Sequence, residues 1–375
     1  MAGLLPDVDP DGLLEYSVVY TDRALNHMSQ RFQGVMHDIS ATLKEVYHAH
    51  STAIIPGSGT FGMEAVARQF ATDQRVMVLR NGWFSYRWTQ IIDQGRLTDQ
   101  QTVLKARRVD PQDDRSPFMP VPAEEAAERI RAEKPAVVFA PQVETAAGML
   151  LPDEYLQTVA QATHDAGGIF VLDAIAAGTL WVDMHKLGID VVVTAPQKGW
   201  SGSPCCAMVM LSERAEQRLA ETQSNSFACN LGKWHDIMQA YENGGHAYYA
   251  TLPTDALQTL RDIMQETRDY GFDQIKNEQI TVGQAVREML ARHGFTSVAA
   301  SGFEAPGVVV CYTEDPGLPA KLAAEGVQVA GGVALQCDEG DNFQTFRIGL
   351  FGLDKLHNPQ RSVDNLERAL EALGD

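Results

Sequence analysis

Short apolar runs alternate along most of the chain with segments whose apolar positions recur every three or four residues. VMVL (76–79), AVVFA (136–140), GIFVLDA (168–174), DVVVTA (190–195) and CCAMVML (205–211) are too short and too uniformly apolar to be surface helices, and predict buried strands. AEEAAERIRAE and DEYLQTVAQATHDAG, which lie between some of them, have the spacing of amphipathic helices. Strands alternating with helices build βαβ units, so the pattern predicts a mostly parallel sheet covered by helices. From LPTDALQTL a helical stretch runs to about His293. GVVVCY, GVQVAGG and QTFRIGLF then read as strands, and RSVDNLERALEAL as a closing helix with Val363, Leu366, Leu370 and Leu373 on one face. The expected fold class is α/β: an N-terminal segment (1–30), a large domain (31–253) and a smaller C-terminal α+β domain (254–375).

Composition narrows the function classes. At 375 residues, 45% hydrophobic and 21% charged, the chain is ordinary globular protein and too long for one typical core. A net charge of -19 argues against nucleic acid or an anionic membrane as partner, since both select basic patches. Cys205, Cys206, Cys229, Cys311 and Cys337 are odd in number and contain no C-x-x-C pair, as expected of reduced thiols. The stretch MAGLLPDVDPDGLLEY lacks the basic and apolar regions of a signal peptide, and no apolar run reaches membrane-spanning length. A cytoplasmic protein is expected.

In a parallel sheet, chemistry gathers at the carboxyl ends of the strands. FVLD ends in Asp173, VVVTAPQ leads to Lys198, and VFAPQVET leads to Glu144 and Thr145. A lysine just past a strand is ordinarily the first solvated residue, and an aspartate there is ordinarily a cap. The turn GSGTFG, between AIIP and the helix MEAVARQF, gives the pair a different meaning. It matches the dinucleotide pattern G-x-G-x-x-G, but the next strand, VMVL, ends in Arg80 and Asn81 and offers no acid for a ribose. What remains is either a structural turn or a cradle for one phosphate, with glycine backbone at a helix N-terminus and the hydroxyls of Ser58 and Thr60. An amine, a carboxylate and a phosphate cradle on one sheet edge are what pyridoxal phosphate requires. The amine forms the Schiff base, the carboxylate keeps the pyridine nitrogen protonated, and the cradle anchors the far end.

The ordered motifs GSGTFGMEA, RNGWFSYR, VETAAG, VLDAIAAG, TAPQKGW, YYATLP and FRIGLFG resemble the class V, type I-fold pyridoxal-phosphate enzymes, nearest the alanine–glyoxylate and serine–pyruvate aminotransferases. The resemblance covers nearly all the chain from about Arg31. It implies Lys198 as the Schiff-base lysine and Asp173 as its pyridinium partner, with Ile175 on one face of the ring and Phe84 stacked on it. It further implies Ser58, Gly59, Thr60 and Gln197 around the phosphate, Thr145 near the ring hydroxyl, and Arg347 clamping the substrate carboxylate with two prongs. Tyr248 and Thr251 would reach the phosphate of the other subunit of a homodimer with shared active sites. The family's usual proline-glycine-proline opening is replaced here by LEYSVVYTDRALNHMS, and Thr60 stands where close relatives often carry histidine.

The expected activity is transfer of an amino group from an α-amino acid to a small 2-oxo acid such as glyoxylate or pyruvate, with no metal. A lyase of cysteine-desulfurase type is the alternative, although it would usually have histidine in place of Gln197 and needs a nucleophilic cysteine. A Rossmann-type nucleotide-binding protein is the remote one.

Overall fold

The computed structural model describes residues 13–374, so the first twelve residues of the expected N-terminal segment and Asp375 lie outside it. Its centre is a seven-stranded sheet: β1 (Ser51–Pro56), β2 (Val76–Arg80), β3 (Gln101–Lys105), β4 (Val137–Pro141), β5 (Ile169–Asp173), β6 (Val191–Thr194) and β7 (Cys206–Leu211), in the order β1-β7-β6-β5-β4-β2-β3. β6, β5, β4, β2 and β3 pair in parallel. β7 alone runs against its neighbours β6 and β1. The reason is length. Residues 195–205 are too few to carry a helical crossover, so the chain must turn back on itself. Lys198 lies in that return.

Helices α1 (Gln30–Tyr47), α2 (Gly59–Phe70) and α3 (Trp83–Gly95) pack on the sheet, as do the expected amphipathic helices Ala123–Glu133 and Asp153–Asp165. The single helical stretch expected up to His293 is two helices, α4 (Thr254–Tyr270) and α5 (Phe272–Arg292). Gly271, at φ 111°, separates them in a conformation that side chains avoid. A three-stranded antiparallel sheet follows: β8 (Val308–Tyr312), β9 (Ala330–Gly331) and β10 (Thr345–Gly349), in the order β8-β10-β9. The strand expected over GVQVAGG is therefore reduced to two residues. Gly326 turns at φ 84° and the Val327 N–H closes the preceding helix on the Leu322 carbonyl at 2.9 Å, so the start of the segment is committed to a helix terminus. The closing helix α6 (Pro359–Ala372) buries Val363, Leu366 and Leu370 against α5 and β10, with Leu373 half-buried beside them.

Ahead of α1, the segment 13–29 lies against the chain that enters α4. Tyr20 Oη donates to the Leu252 carbonyl at 3.1 Å and the Leu25 N–H to Asp255 Oδ1 at 3.0 Å. Tyr241 Oη donates to the His27 carbonyl at 3.0 Å. Among the described residues no helix is long and apolar enough to cross a membrane, and no group of side chains could hold a metal ion.

Candidate active site

Five strands of the large sheet run out at one edge, and each hands a different chemical group to the space beyond. β5 ends on Asp173, whose parallel partner is Val193 of the adjacent β6; five residues further on comes Lys198. β1 leads through Gly57 to Ser58, β4 to Val143 and Thr145, and β2 to Phe84. Ser58, Gly59, Thr60, Phe84, Thr145, Asp173, Ile175, Gln197 and Lys198 line one cavity of 250 Å³, together with Met63, Arg87, Val143 and Ala176. Arg347 on β10 stands at its edge, the guanidinium 5.7 Å from the centre of the Phe84 ring and its Nε donating to the Gly331 carbonyl at 2.9 Å. Tyr248 and Thr251 do not line this cavity. Their hydroxyls lie 3.2 Å from each other, and Tyr248 is 54% exposed.

Close packing sets the cavity walls. A Cβ on Gly59 would come within 2.6 Å of Ile175 Cδ1, so the start of α2 packs closely on that side chain and a larger residue there would have to displace it. Ser58 is the N-cap of α2 but does not spend its hydroxyl on the helix. The first turn of α2 therefore presents its amide dipoles, and that hydroxyl, to an anion. Gln197 Oε1 is buried without a hydrogen-bond partner. A Cβ on Gly199 would lie 2.0 Å from the Gly178 carbonyl oxygen, which ties the Lys198 turn tightly to the loop after Asp173.

The electrostatics are those of a site arranged for a cation beside Asp173. Burial, reinforced by the nearby negative charge of Glu144, pushes the Asp173 carboxyl up to about 7; the Ile175 N–H, donating to Oδ1 at 3.0 Å, and Arg87 oppose the shift. Lys198 moves the other way. Burial and the positive charge of Arg347 lower its pKa, so a larger share of it is neutral amine. Its Nζ sits 5.0 Å from the centre of the Phe351 ring. Burial also lowers Arg347, against the opposite pull of Glu144.

Two residues were not assigned roles from the sequence. Glu144, fully buried, accepts from the N–H groups of Phe84 (3.2 Å), Ser85 (2.9 Å) and Ala146 (2.9 Å) and from Ser85 Oγ (2.7 Å). It caps α3 from the segment that follows the neighbouring strand β4 and so fixes Phe84. Gly82 is what lets it in, since a Cβ there would meet the Glu144 carboxyl carbon at 2.7 Å. Within VETAAG a lone acid among apolar residues was the available signal. Arg87 follows Phe84 by one helical turn, a spacing that puts both on one face of α3 once that helix is recognised. All five cysteines are buried and none lines the cavity, so a cysteine nucleophile of desulfurase type has no candidate here.

An anion cradle, a buried carboxylate with no ion-pair partner among the described residues, and an amine of lowered pKa thus share one cavity. The family model for aminotransferase class-V matches residues 13–332. The chain is 24% identical to alanine–glyoxylate aminotransferase 1 of Saccharomyces cerevisiae, over 88% of this chain and 86% of that one. It is 25% identical to the 2-aminoethylphosphonate–pyruvate transaminase of Paraburkholderia phymatum, over 94% and 90%. In fold it is similar to the crystal structure of pyridoxamine–pyruvate aminotransferase from Mesorhizobium loti, with a TM-score of 0.78 at 17% identity, covering 100% of this chain and 91% of that one.

Proposed function

This chain belongs to the aminotransferase class-V family, and on that premise we propose that it moves an amino group from an α-amino acid to a small 2-oxo acid such as glyoxylate or pyruvate. It is a pyridoxal 5′-phosphate enzyme, and the residues present fit the cofactor. Asp173 is a buried carboxylate that a protonated ring nitrogen would satisfy, and the first turn of α2 has an unused serine hydroxyl for a phosphate. The convergence of Lys198 and Asp173 on one cavity from adjacent parallel strands is the observation that carries the reading. The names of the relatives, which pair amino donors with glyoxylate or pyruvate, support the choice of acceptor.

When bound, the cofactor supplies an electron sink for the substrate α-carbon. The remaining work belongs to the chain. Lys198 would hold the cofactor at its aldehyde and would offer Nζ as the base for the substrate α-proton. Its lowered pKa favours the neutral form which that step needs. Asp173 would hold the proton on the ring nitrogen. Ser58, Gly59, Thr60 and Gln197 would hold the phosphate, Phe84 and Ile175 the ring faces, and Thr145 the ring hydroxyl. Arg347 would hold the substrate carboxylate, its planar fork matching two oxygens. We further read the protein as a cytoplasmic homodimer in which Tyr248 and Thr251 serve the partner's phosphate. The exposure of Tyr248, together with that of Tyr16, Val18 and Phe227, supports a covering surface.

Adding amino acids one at a time to the purified enzyme and recording the cofactor spectrum tests the activity. Competent donors convert the cofactor to its amine form, and glyoxylate or pyruvate restores the original spectrum. Lys198→Ala should do neither. If no amino acid changes the wild-type spectrum, the assignment to amino transfer fails.

A further inference from the structure

Three cationic side chains stand at the cavity: Lys198, Arg347 and Arg87. The proposed function occupies the first with the cofactor aldehyde and the second with the substrate carboxylate. The third has no assignment. Arg87 Nη1 donates to Thr60 Oγ1 at 3.1 Å, on the first turn of α2, and its guanidinium lies 5.2 Å from the centre of the Phe84 ring. Among the described residues it makes no ion pair. Its direct contacts are a hydroxyl and an aromatic face; Asp173 acts on it through space without an ion-pair contact, and a half-buried guanidinium is normally offset by an anion in contact with it.

The cradle has the opposite deficit. Ser58, Gly59, Thr60 and Gln197 offer neutral donors only, and a helix terminus contributes about half a unit of positive charge. A phosphate monoester carries about -1.5 to -2 at neutral pH. A chain of net charge -19 does not help to hold it. Resting on the reading of this cavity as the pyridoxal-phosphate site, we propose that Arg87 is the charged partner of the cofactor phosphate. Its hydrogen bond to Thr60 would aim the guanidinium at the cradle, and the i, i+3 spacing on α3 would couple phosphate binding to the seating of Phe84.

Comparing pyridoxal 5′-phosphate with pyridoxal, which lacks the phosphate, separates this role from a structural one. Apoprotein of wild type, Arg87→Gln and Arg87→Lys would be titrated with each compound by absorbance, after circular dichroism has established which variants fold. Loss of a charge-assisted hydrogen bond should weaken pyridoxal 5′-phosphate in Arg87→Gln by about tenfold to a hundredfold. Pyridoxal affinity should be unchanged, and Arg87→Lys should recover part of the loss because it keeps the charge. Inorganic phosphate should compete with pyridoxal 5′-phosphate in the wild type and lose that ability in Arg87→Gln. Because both ligands are compared within each variant, a general loss of stability cancels; where Arg87→Gln does not fold, a selective loss of the phosphorylated ligand in Arg87→Lys decides. Equal losses for the two compounds, or none, would overturn the role of Arg87 alone. A wild type that takes up neither compound overturns the cavity assignment and this proposal with it.

Discussion

Asp173 illustrates how a single buried charge can be both a cost to the apoprotein and a binding determinant. Its carboxyl stands at an ordinary 3.8 when unfolded and about 7 when folded. Below about pH 4 both states hold the proton, and the group contributes its full share of stability. As pH rises toward 7 the unfolded chain releases the proton while the folded chain keeps it, so that share is lost. Relative to Asp173→Asn, wild-type apoprotein should therefore lose stability on the order of 4 kcal/mol between about pH 4 and about pH 7. Urea unfolding of both proteins across that range measures it, and a difference independent of pH would contradict the buried-charge account. Saturating pyridoxal phosphate should flatten the wild-type curve, because a ring cation compensates the carboxylate. Glu144 acts at the same scale through its hydrogen bonds. Glu144→Gln turns one acceptor oxygen into a donor facing the amides of Phe84 and Ser85, at an expected cost of about 1–3 kcal/mol in urea unfolding. A change indistinguishable from zero would mean that α3 does not depend on this cap.

At the scale of elements, the return between β6 and β7 matters most. It carries Lys198, and its path is fixed by contact with the loop after β5. The hydrogen of Gly199 is the largest substituent that fits beside the Gly178 carbonyl, a rigid backbone group. Gly199→Ala should therefore move the turn, costing about 1–3 kcal/mol as overpacking usually does, and weaken pyridoxal-phosphate uptake along with it. Chemical unfolding and cofactor titration of one preparation would reveal both effects. Normal stability with normal uptake would mean the turn relaxes without displacing the lysine.

For the whole molecule, the proposed sharing of sites between subunits makes a reciprocal prediction, because two-fold symmetry gives two equivalent composite sites. Inactive Lys198→Ala dimers and impaired Tyr248→Phe/Thr251→Ala dimers would be unfolded together and refolded to form hybrids. One site of a hybrid collects both lesions, while the other has an intact lysine and an intact pair from its partner. Activity should exceed the sum of the parents. Hybrids that form yet stay at that sum would place Tyr248 and Thr251 at their own subunit's site.

Much of this protein was legible from local pattern. Strand positions followed from short apolar runs such as VVVT and IFVLD, because burial on both faces excludes polar residues whatever the rest of the chain does. Asp173, Lys198, Thr145 and the Ser58–Thr60 turn followed from strand ends, since a parallel sheet delivers every carboxyl terminus to one edge, whereas Phe84, Ile175 and Gln197 were named only through the family resemblance. Tertiary structure decided what local pattern does not encode. The reversal of β7, the break at Gly271 and the truncated β9 depend on connection length and on single backbone conformations. Glu144 and Arg87 gained their surroundings from contacts across 60 and 27 residues, respectively. A carboxylate or guanidinium has no helical or strand period of its own. Its partners are set by which elements the fold brings together, and so they appear only once the chain has packed.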